Sequence, residues 1–219
     1  MYHHYLFFDV LPDFYQLSEA KRGAAKKALT ALFGTPTDLK IVPYITLGLK
    51  ANTTFLLWVR SPEPTHTQRF VRQLLGTPIG PYLKLQHTYF GLARDSHYSA
   101  RRGNPEQNME EFEDRLPYLT VYPFVKTHEW HQLSFENRKA IMGQHVKMGL
   151  SYPEIRQCLL YAYGIDDYEF IVSYEMESLE RFQDLVQSMR GLVGRPYTKS
   201  DTPIYTGVHT PFKELAAWL

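Results

Sequence analysis

Cysteine is nearly absent from this sequence, in which Cys158 is the only thiol among 219 residues. One thiol excludes an intramolecular disulfide framework and any metal cluster that needs four cysteines. Long apolar runs are missing as well, because no segment of 18 residues is apolar enough to cross a bilayer. The opening residues, Met1-Tyr-His-His-Tyr5, lack the basic start and the apolar run of a secretory signal. We therefore expect a soluble cytoplasmic protein that does not bind membranes.

An excess of charge of one sign is also lacking. The chain has 24 Lys and Arg against 23 Asp and Glu, which gives a net charge of +1. This balance gives no electrostatic reason to expect nucleic acid or an acidic membrane as a partner. Aromatic residues, by contrast, are abundant, with 16 Tyr and 13 Phe. They fit a large apolar pocket and equally fit sheet faces, so they do not decide between the two.

The first half of the chain predicts elements in the order strand-helix-strand-strand-helix-strand. Apolar residues spaced by three and four indicate the helices, and Pro62 and Pro64 interrupt the chain before the second helix. We predict a first helix that Ser18 caps and that runs to about residue 33, a second helix at 65–75, and strands at 5–10, 41–48, 54–60 and 83–92. This order is typical of a ferredoxin-like fold.

The second half repeats the same order. We predict helices at 135–148 and 178–190, and strands at 119–126, 154–161, 168–175 and 204–208. The polar segment 99–117 is interpreted as a linker or long surface loop, with a lid over a pocket as the alternative. We therefore predict an α+β fold of two tandem ferredoxin-like halves with antiparallel sheets, of the dimeric α/β-barrel type. The predicted N-terminal domain spans 1–98 and the predicted C-terminal domain spans 118–219.

His145 is the residue on which a candidate site centres. It lies on the apolar side of a predicted helix that Ser134 can cap at the N-terminus and Gly149 can end as a C′ residue. A neutral imidazole with no second His four residues along suits a single bond to a metal-centred cofactor better than a zinc site. The alternative for a lone His on an apolar helix face is a satisfied core or interface residue.

Four motifs in this half of the chain belong together. They are Tyr122-Pro-Phe-Val-Lys126, Trp130, an Arg-x-x-x-Met-x-x-His pattern that ends at His145, and Gly164-Ile-Asp-Asp167. Together they resemble the chlorite dismutase superfamily, which includes chlorite dismutases and coproheme decarboxylases. The resemblance implies that the C-terminal domain binds haem, either coproheme or haem b, with His145 as the ligand to iron. It also implies peroxide or chlorite as a small-molecule substrate and a homo-oligomer, with a pentamer favoured.

Gln157 matches the superfamily position that faces the distal side of the haem. Strand alternation places Gln157 on the face opposite to Arg156 and Cys158. Chlorite dismutases carry Arg at this position, a permanent cation that can hold hypochlorite, whereas many coproheme decarboxylases carry the neutral amide of Gln. The interval from His145 to Gly164 is one residue shorter than the family pattern, and a gap placed after the strand moves Cys158 to the position. An ordinary polar strand residue is the alternative for Gln157.

Tyr122 and Lys126 share a face of their predicted strand. In coproheme decarboxylases the matching Tyr carries a radical that removes a hydrogen atom from a propionate, and the matching Lys lies near that propionate. A phenol with a pKa near 10 is a poor base at neutral pH, so oxidation is its more reasonable chemistry. Trp130 matches an aromatic residue at the haem edge or in the core. An aromatic strand residue and a surface Lys are the alternatives for the pair.

Two residues favour a different member of the superfamily. Glu175 resembles the carboxylate that accepts the N–H of the ligand His in chlorite dismutases, although a carboxylate at the start of the next helix is the alternative. Pro203 stands near a propionate-binding Ser of the decarboxylase pattern.

We predict a peroxide-dependent coproheme decarboxylase that forms haem b. The alternatives are a chlorite dismutase-like or peroxidase-like haem b enzyme, and a haem carrier or sensor without catalysis.

Overall fold

The structure is a computed structural model that describes residues 1–35, 37–94, 109–166 and 168–219. Residues 99–108 of the predicted linker, and Asp167 of the last motif, lie outside the described residues. The chain forms two compact units, of which the first comprises 1–90 and 207–219 and the second comprises 91–206. The last residues, which the sequence assigned to the C-terminal domain, therefore pack with the first unit.

The first unit is an antiparallel sheet with two helices on one face. Its elements are β1 (Tyr2–Val10), α1 (Glu19–Phe33), β2 (Lys40–Ile45), β3 (Phe55–Ser61), α2 (Pro64–Leu75) and β4 (Leu83–Ala93). The strands lie in the order β4-β1-β3-β2. Buried apolar side chains fill the space between sheet and helices, among them Leu6, Phe8, Ala25, Leu29, Phe55, Leu57, Val59, Phe70 and Leu74.

The second unit repeats this arrangement. Its elements are β5 (Tyr118–Lys126), α3 (His128–Gln132), α4 (Phe135–Gly149), β6 (Arg156–Tyr161), β7 (Phe170–Met176), α5 (Leu179–Arg190) and β8 (Thr198–Ser200). β7 pairs antiparallel with β5 and with β6, and β5 pairs with β8. The order β8-β5-β7-β6 therefore matches the order of the first unit. Two elements follow, β9 (Tyr205–His209), which pairs with β2, and α6 (Phe212–Leu215).

The predicted fold class is confirmed, because each unit has the element order and antiparallel pairing of a ferredoxin-like α+β fold. The sequence did not indicate α3 or β8, since elements of five and three residues are too short to show a period. Among the described residues, no helix has the length and apolar character needed to cross a membrane.

The ends of two helices test the predicted caps. The Ser134 hydroxyl accepts a hydrogen bond from the Asn137 N–H at 3.2 Å, which confirms the predicted cap of α4. Ser18 holds the same position before α1, but its side chain makes no capping hydrogen bond. Gly149 is the last residue of α4, and Leu150 follows it with a helical φ of −63°. The prediction of a C′ glycine at Gly149 is therefore wrong.

Candidate functional site

A cavity of about 200 Å³ lies in the second unit between its sheet and the helices α4 and α5. Its lining comes from β5, β6 and β7, from both helices and from the segment that follows α5. Most of the lining side chains are apolar or aromatic, including Phe124, Ile141, Met142, Leu159, Phe170, Val172, Phe182, Leu185, Val186, Met189, Leu192 and Ile204. The cavity therefore suits a ligand with a large apolar surface.

The cavity occupies the space between the sheet and helices of the second unit. In the first unit, the equivalent space is filled by apolar side chains. α4 carries the apolar stripe expected from its sequence, yet none of its residues is fully buried. The stripe faces open volume, and the buried cluster beside it consists of Ile155, Met176, Phe182 and Leu185. Protein interiors are normally close-packed, so an open space behind an apolar helix face is typical of a ligand-binding site.

Strand register arranges the sheet side of the cavity. Tyr122 on β5 lies opposite Val172 on the central strand β7, and Val172 lies opposite Leu159 on β6. Two residues along β7, Tyr174 lies opposite Gln157. Tyr174 is therefore beside Gln157 and diagonal to Tyr122, and all three line the cavity.

His145 lines the cavity from α4. Burial, together with the positive charge of Lys126, lowers the pKa of His145 to about 4. The ring is therefore neutral at physiological pH. Within the described part of the chain, the structure gives this ring no hydrogen-bond partner. A neutral imidazole with an available lone pair can bind a metal ion.

Gln157 is half-buried, and its side chain lies on the cavity face of β6. Arg156 points the other way, and its guanidinium binds the Asp114 carboxylate at 2.9 Å. Cys158 touches the cavity edge but is almost fully buried, and its Sγ lies 3.7 Å from Oε1 of Glu110. The one-residue difference from the family pattern left Gln157 and Cys158 as candidates for the distal position. Of these two, Gln157 is the one that presents a polar side chain to the cavity.

Tyr122 is a protonated phenol in the cavity wall. Burial is the largest cause that raises its pKa well above the usual value near 10, followed by the charge of Tyr174 and a hydrogen bond with it. Each of these three causes favours the protonated form of Tyr122. The two rings stack with centroids 6.1 Å apart. Tyr122 therefore cannot serve as a base at neutral pH.

Lys126 and Trp130 lie together at another part of the lining. The Lys126 Nζ is 4.3 Å from the Trp130 ring centroid and 4.7 Å from that of Phe124. Burial lowers the pKa of Lys126 to about 8, and Arg195 adds to this lowering while Glu169 opposes it. The ammonium is therefore mainly charged at neutral pH and is held over aromatic faces.

Sequence reasoning missed a charged cluster in the lining. The Asp201 carboxylate accepts from Arg195 at 2.6 Å and contacts Arg190 at 3.2 Å. Arg190 ends α5, while Arg195 and Asp201 lie in the segment after it, where no periodic pattern predicts an orientation. Tyr174 was also missed, although alternation along 168–175 places it on the same strand face as Val172.

Glu175 is not part of this site. It follows Tyr174 on β7, so strand alternation turns its side chain to the opposite face of the sheet. Its carboxylate is fully buried there and forms an ion pair with Arg115 at 3.3 Å. The prediction that Glu175 accepts a hydrogen bond from His145 is therefore wrong.

Comparison with known proteins assigns the chain to a family. The family model described as Chlorite dismutase matches residues 17–210, which is most of the chain. The protein therefore belongs to the chlorite dismutase family, a family of haem-dependent enzymes, and the predicted resemblance is confirmed.

The relatives carry two different enzyme names. A coproheme decarboxylase from Mycolicibacterium smegmatis is 26% identical over 180 residues, which cover 80% of this chain and 75% of the relative. A chlorite dismutase from Ideonella dechloratans is 23% identical over 220 aligned residues, covering 97% of this chain and 77% of the relative. A solved mutant chlorite dismutase from Candidatus Nitrospira defluvii matches with a TM-score of 0.88 at 25% identity, over 99% of this chain and 94% of that chain.

Proposed function

We propose that the second unit binds an iron porphyrin and that His145 is its only protein ligand to iron. The apolar cavity walls suit the faces of the macrocycle. The His145 ring is neutral, and ligation costs it no hydrogen bond to a described residue. A neutral ring is the form in which a proximal histidine binds iron, so the residues present fit the cofactor.

The charged residues of the lining would hold the porphyrin carboxylates. The cavity lining contains three cationic side chains and one carboxylate, so its net charge is positive. The cations are Lys126, Arg190 and Arg195, and the carboxylate is Asp201. Asp201 also fixes the Arg195 guanidinium through a 2.6 Å contact, so that it is oriented before a ligand arrives. Trp130 lies against Lys126 and would contact the porphyrin edge. A cationic wall favours coproheme, which has four propionates, over haem b, which has two.

The reaction that fits these residues best is the peroxide-dependent oxidative decarboxylation of coproheme to haem b. Two propionates react in turn. In each step one propionate loses its carboxylate as carbon dioxide and a hydrogen from its β-carbon to become a vinyl group, and the two electrons released reduce one peroxide to two waters with net uptake of one proton. When bound, the iron porphyrin supplies the oxidising power from peroxide. The protein must supply a group that passes single electrons and hydrogen atoms to a propionate.

Tyr122 carries this proposal, because it places an oxidisable O–H bond in the cavity wall. Its raised pKa keeps it protonated, so it acts by losing a hydrogen atom rather than by accepting a proton. Having lost that atom, the Tyr122 oxygen would take one from the propionate β-carbon. Lys126 assists by binding the carboxylate, and its pKa near 8 allows it to give up a proton close to neutral pH.

Chlorite cleavage is the second candidate function, supported by the relatives that carry that name and by Pro203. Two observations weigh against it. Gln157 offers hydrogen bonds but no fixed charge to a hypochlorite, and Glu175, which favoured this candidate in the sequence, lies on the opposite face of β7. Decarboxylation is therefore the better supported function.

Replacing Tyr122 with Phe tests the proposal. The substitution keeps the ring and removes the hydroxyl, so coproheme should bind with unchanged affinity. With coproheme and peroxide, we expect the variant to form at most a trace of haem b, measured by chromatography of the extracted porphyrin.

Tyr163→Phe is the matched control, because Tyr163 is 48% exposed and does not line the cavity. It should form haem b at the rate of the wild type. Equal haem b yields from Tyr122→Phe and the wild type would remove Tyr122 from the reaction.

A further inference from the structure

Tyr174 is a second phenol in the cavity wall, and the proposed reaction leaves it without a role. It lies on the central strand β7, directly opposite Gln157 and diagonal to Tyr122. Its ring also contacts the ring of Phe182, with centroids 5.1 Å apart. The side chain is therefore fixed between the distal amide and the tyrosine that carries the proposed radical.

The contact between the two phenols is direct. The two rings are stacked at an interplanar angle of 24° with centroids 6.1 Å apart, and Tyr174 is among the causes that raise the pKa of Tyr122. Stacked phenols are close enough for an electron to pass between their rings together with the hydroxyl proton. Because both groups are phenols, moving the atom from one to the other changes the energy little.

We infer that Tyr174 is a second redox-active residue that exchanges a hydrogen atom with Tyr122, an inference that rests on the proposed function for its oxidant. After Tyr122 has lost its hydroxyl hydrogen, the O–H bond of Tyr174 breaks and a new O–H bond forms at Tyr122. One electron and one proton move together, so Tyr122 is restored and the unpaired electron lies on Tyr174. The step is reversible and needs no further reactant.

This exchange gives the cavity two positions from which a hydrogen atom can be removed. Tyr122 lies on β5, and Tyr174 lies one strand further into the sheet, beside Gln157. Two propionates must react when coproheme becomes haem b. A shared radical can therefore serve carboxylates bound at different places along the wall.

Radical spectroscopy tests the inference without depending on decarboxylation. The protein is loaded with haem b, which carries vinyl groups where the reactive propionates would be, and is mixed with peroxide and frozen for electron paramagnetic resonance. Tyr122→Phe and Tyr174→Phe should each keep a tyrosyl signal above that of the double variant, with different hyperfine patterns. Tyr163→Phe should match the wild type. A spectrum of Tyr122→Phe that equals the double variant would overturn the inference.

A second measurement uses the protein without any porphyrin. With tyrosine labelled by carbon-13 at Cζ, Tyr174→Phe should lower the pKa at which Tyr122 titrates, because the Tyr174 hydroxyl is among the causes that raise it. An unchanged Tyr122 titration would show that the two hydroxyls are not in contact and would overturn the inference. Neither measurement uses coproheme, so a failure of the proposed decarboxylation remains distinguishable from a failure of the exchange.

Discussion

His145 combines a neutral ring with a position on an open apolar wall. Burial keeps the proton off the ring at physiological pH, which an iron ligand requires. A His retained for packing alone would be surrounded by neighbouring side chains and hydrogen-bonded to one of them. The described surroundings of His145 instead include a cavity and no hydrogen bond.

Replacing His145 with Ala should remove tight porphyrin binding and leave the fold intact. We expect roughly a 100-fold or greater loss of affinity for haem, measured by absorbance titration, since losing a ligand costs at least as much as losing its supporting partner. Unfolding in urea should change by less than about 1 kcal/mol, because the ring borders a cavity already present. Added imidazole should restore the spectrum. Gln144→Ala, at an exposed position on the same helix, is the control, and equal affinities in both variants would contradict the assignment.

The neutral side chain of Gln157 should limit the rate at which the protein cleaves chlorite. The Gln157→Arg variant adds the fixed positive charge that the wall lacks at this point, so oxygen release from chlorite should rise about tenfold or more. An oxygen electrode measures the rate, and Gln157→Leu, which adds no charge, should show no gain. A wild-type rate already equal to that of a dedicated chlorite dismutase would show that Gln157 does not limit this reaction.

The sequence predicted part of this lining and missed the rest for identifiable reasons. Tyr122, Lys126, His145 and Gln157 lie on regular elements, where spacing gives the direction of a side chain. The pairing of Asp201 with its two arginines depends on a segment without periodicity, and no spacing rule reaches it. Glu175 resembles a family carboxylate in sequence, but strand alternation turns its side chain away from the face of Tyr174.

At the scale of elements, α4 determines where His145 stands. The helix begins at the capped residue Ser134 and runs across the cavity with its apolar stripe half-buried. The strands that line the cavity with α4 were also predictable, since side chains alternate between the two faces of the sheet along β5, β6 and β7. What the pattern could not show is that the stripe faces a cavity, because an apolar helix face looks the same in sequence whether it meets a core or a ligand.

Removing the cap of α4 should weaken the second unit. Ser134→Ala loses the hydrogen bond to the Asn137 N–H and should cost about 1 kcal/mol of unfolding free energy, measured by urea denaturation. Ser18→Ala is the matched control, because Ser18 holds the same position before α1 without a capping hydrogen bond. A control variant that loses as much stability as Ser134→Ala would show that the hydrogen bond is not the cause.

At the scale of the whole molecule, two units share one order of strands and differ in what fills the space under their helices. The first unit fills it with apolar side chains, and the second leaves it open. A repeat of element order is readable from sequence, since it depends on hydrophobic period and turns. The difference in filling depends on side-chain volumes summed over several elements, which no single segment records. The homo-oligomer, with a pentamer favoured, and the cytoplasmic location stay predictions.

The identity of the porphyrin before and after peroxide tests the central claim most directly. The wild-type protein is loaded with coproheme and treated with increasing equivalents of peroxide. The mass of the extracted porphyrin is then measured by mass spectrometry. We predict loss of one carboxyl group to give a three-propionate intermediate, followed by a second loss to give haem b, with one peroxide consumed in each step. Coproheme that keeps its mass, or is bleached without passing through the three-propionate species, would contradict the decarboxylase function and favour the chlorite dismutase-like or peroxidase-like alternative.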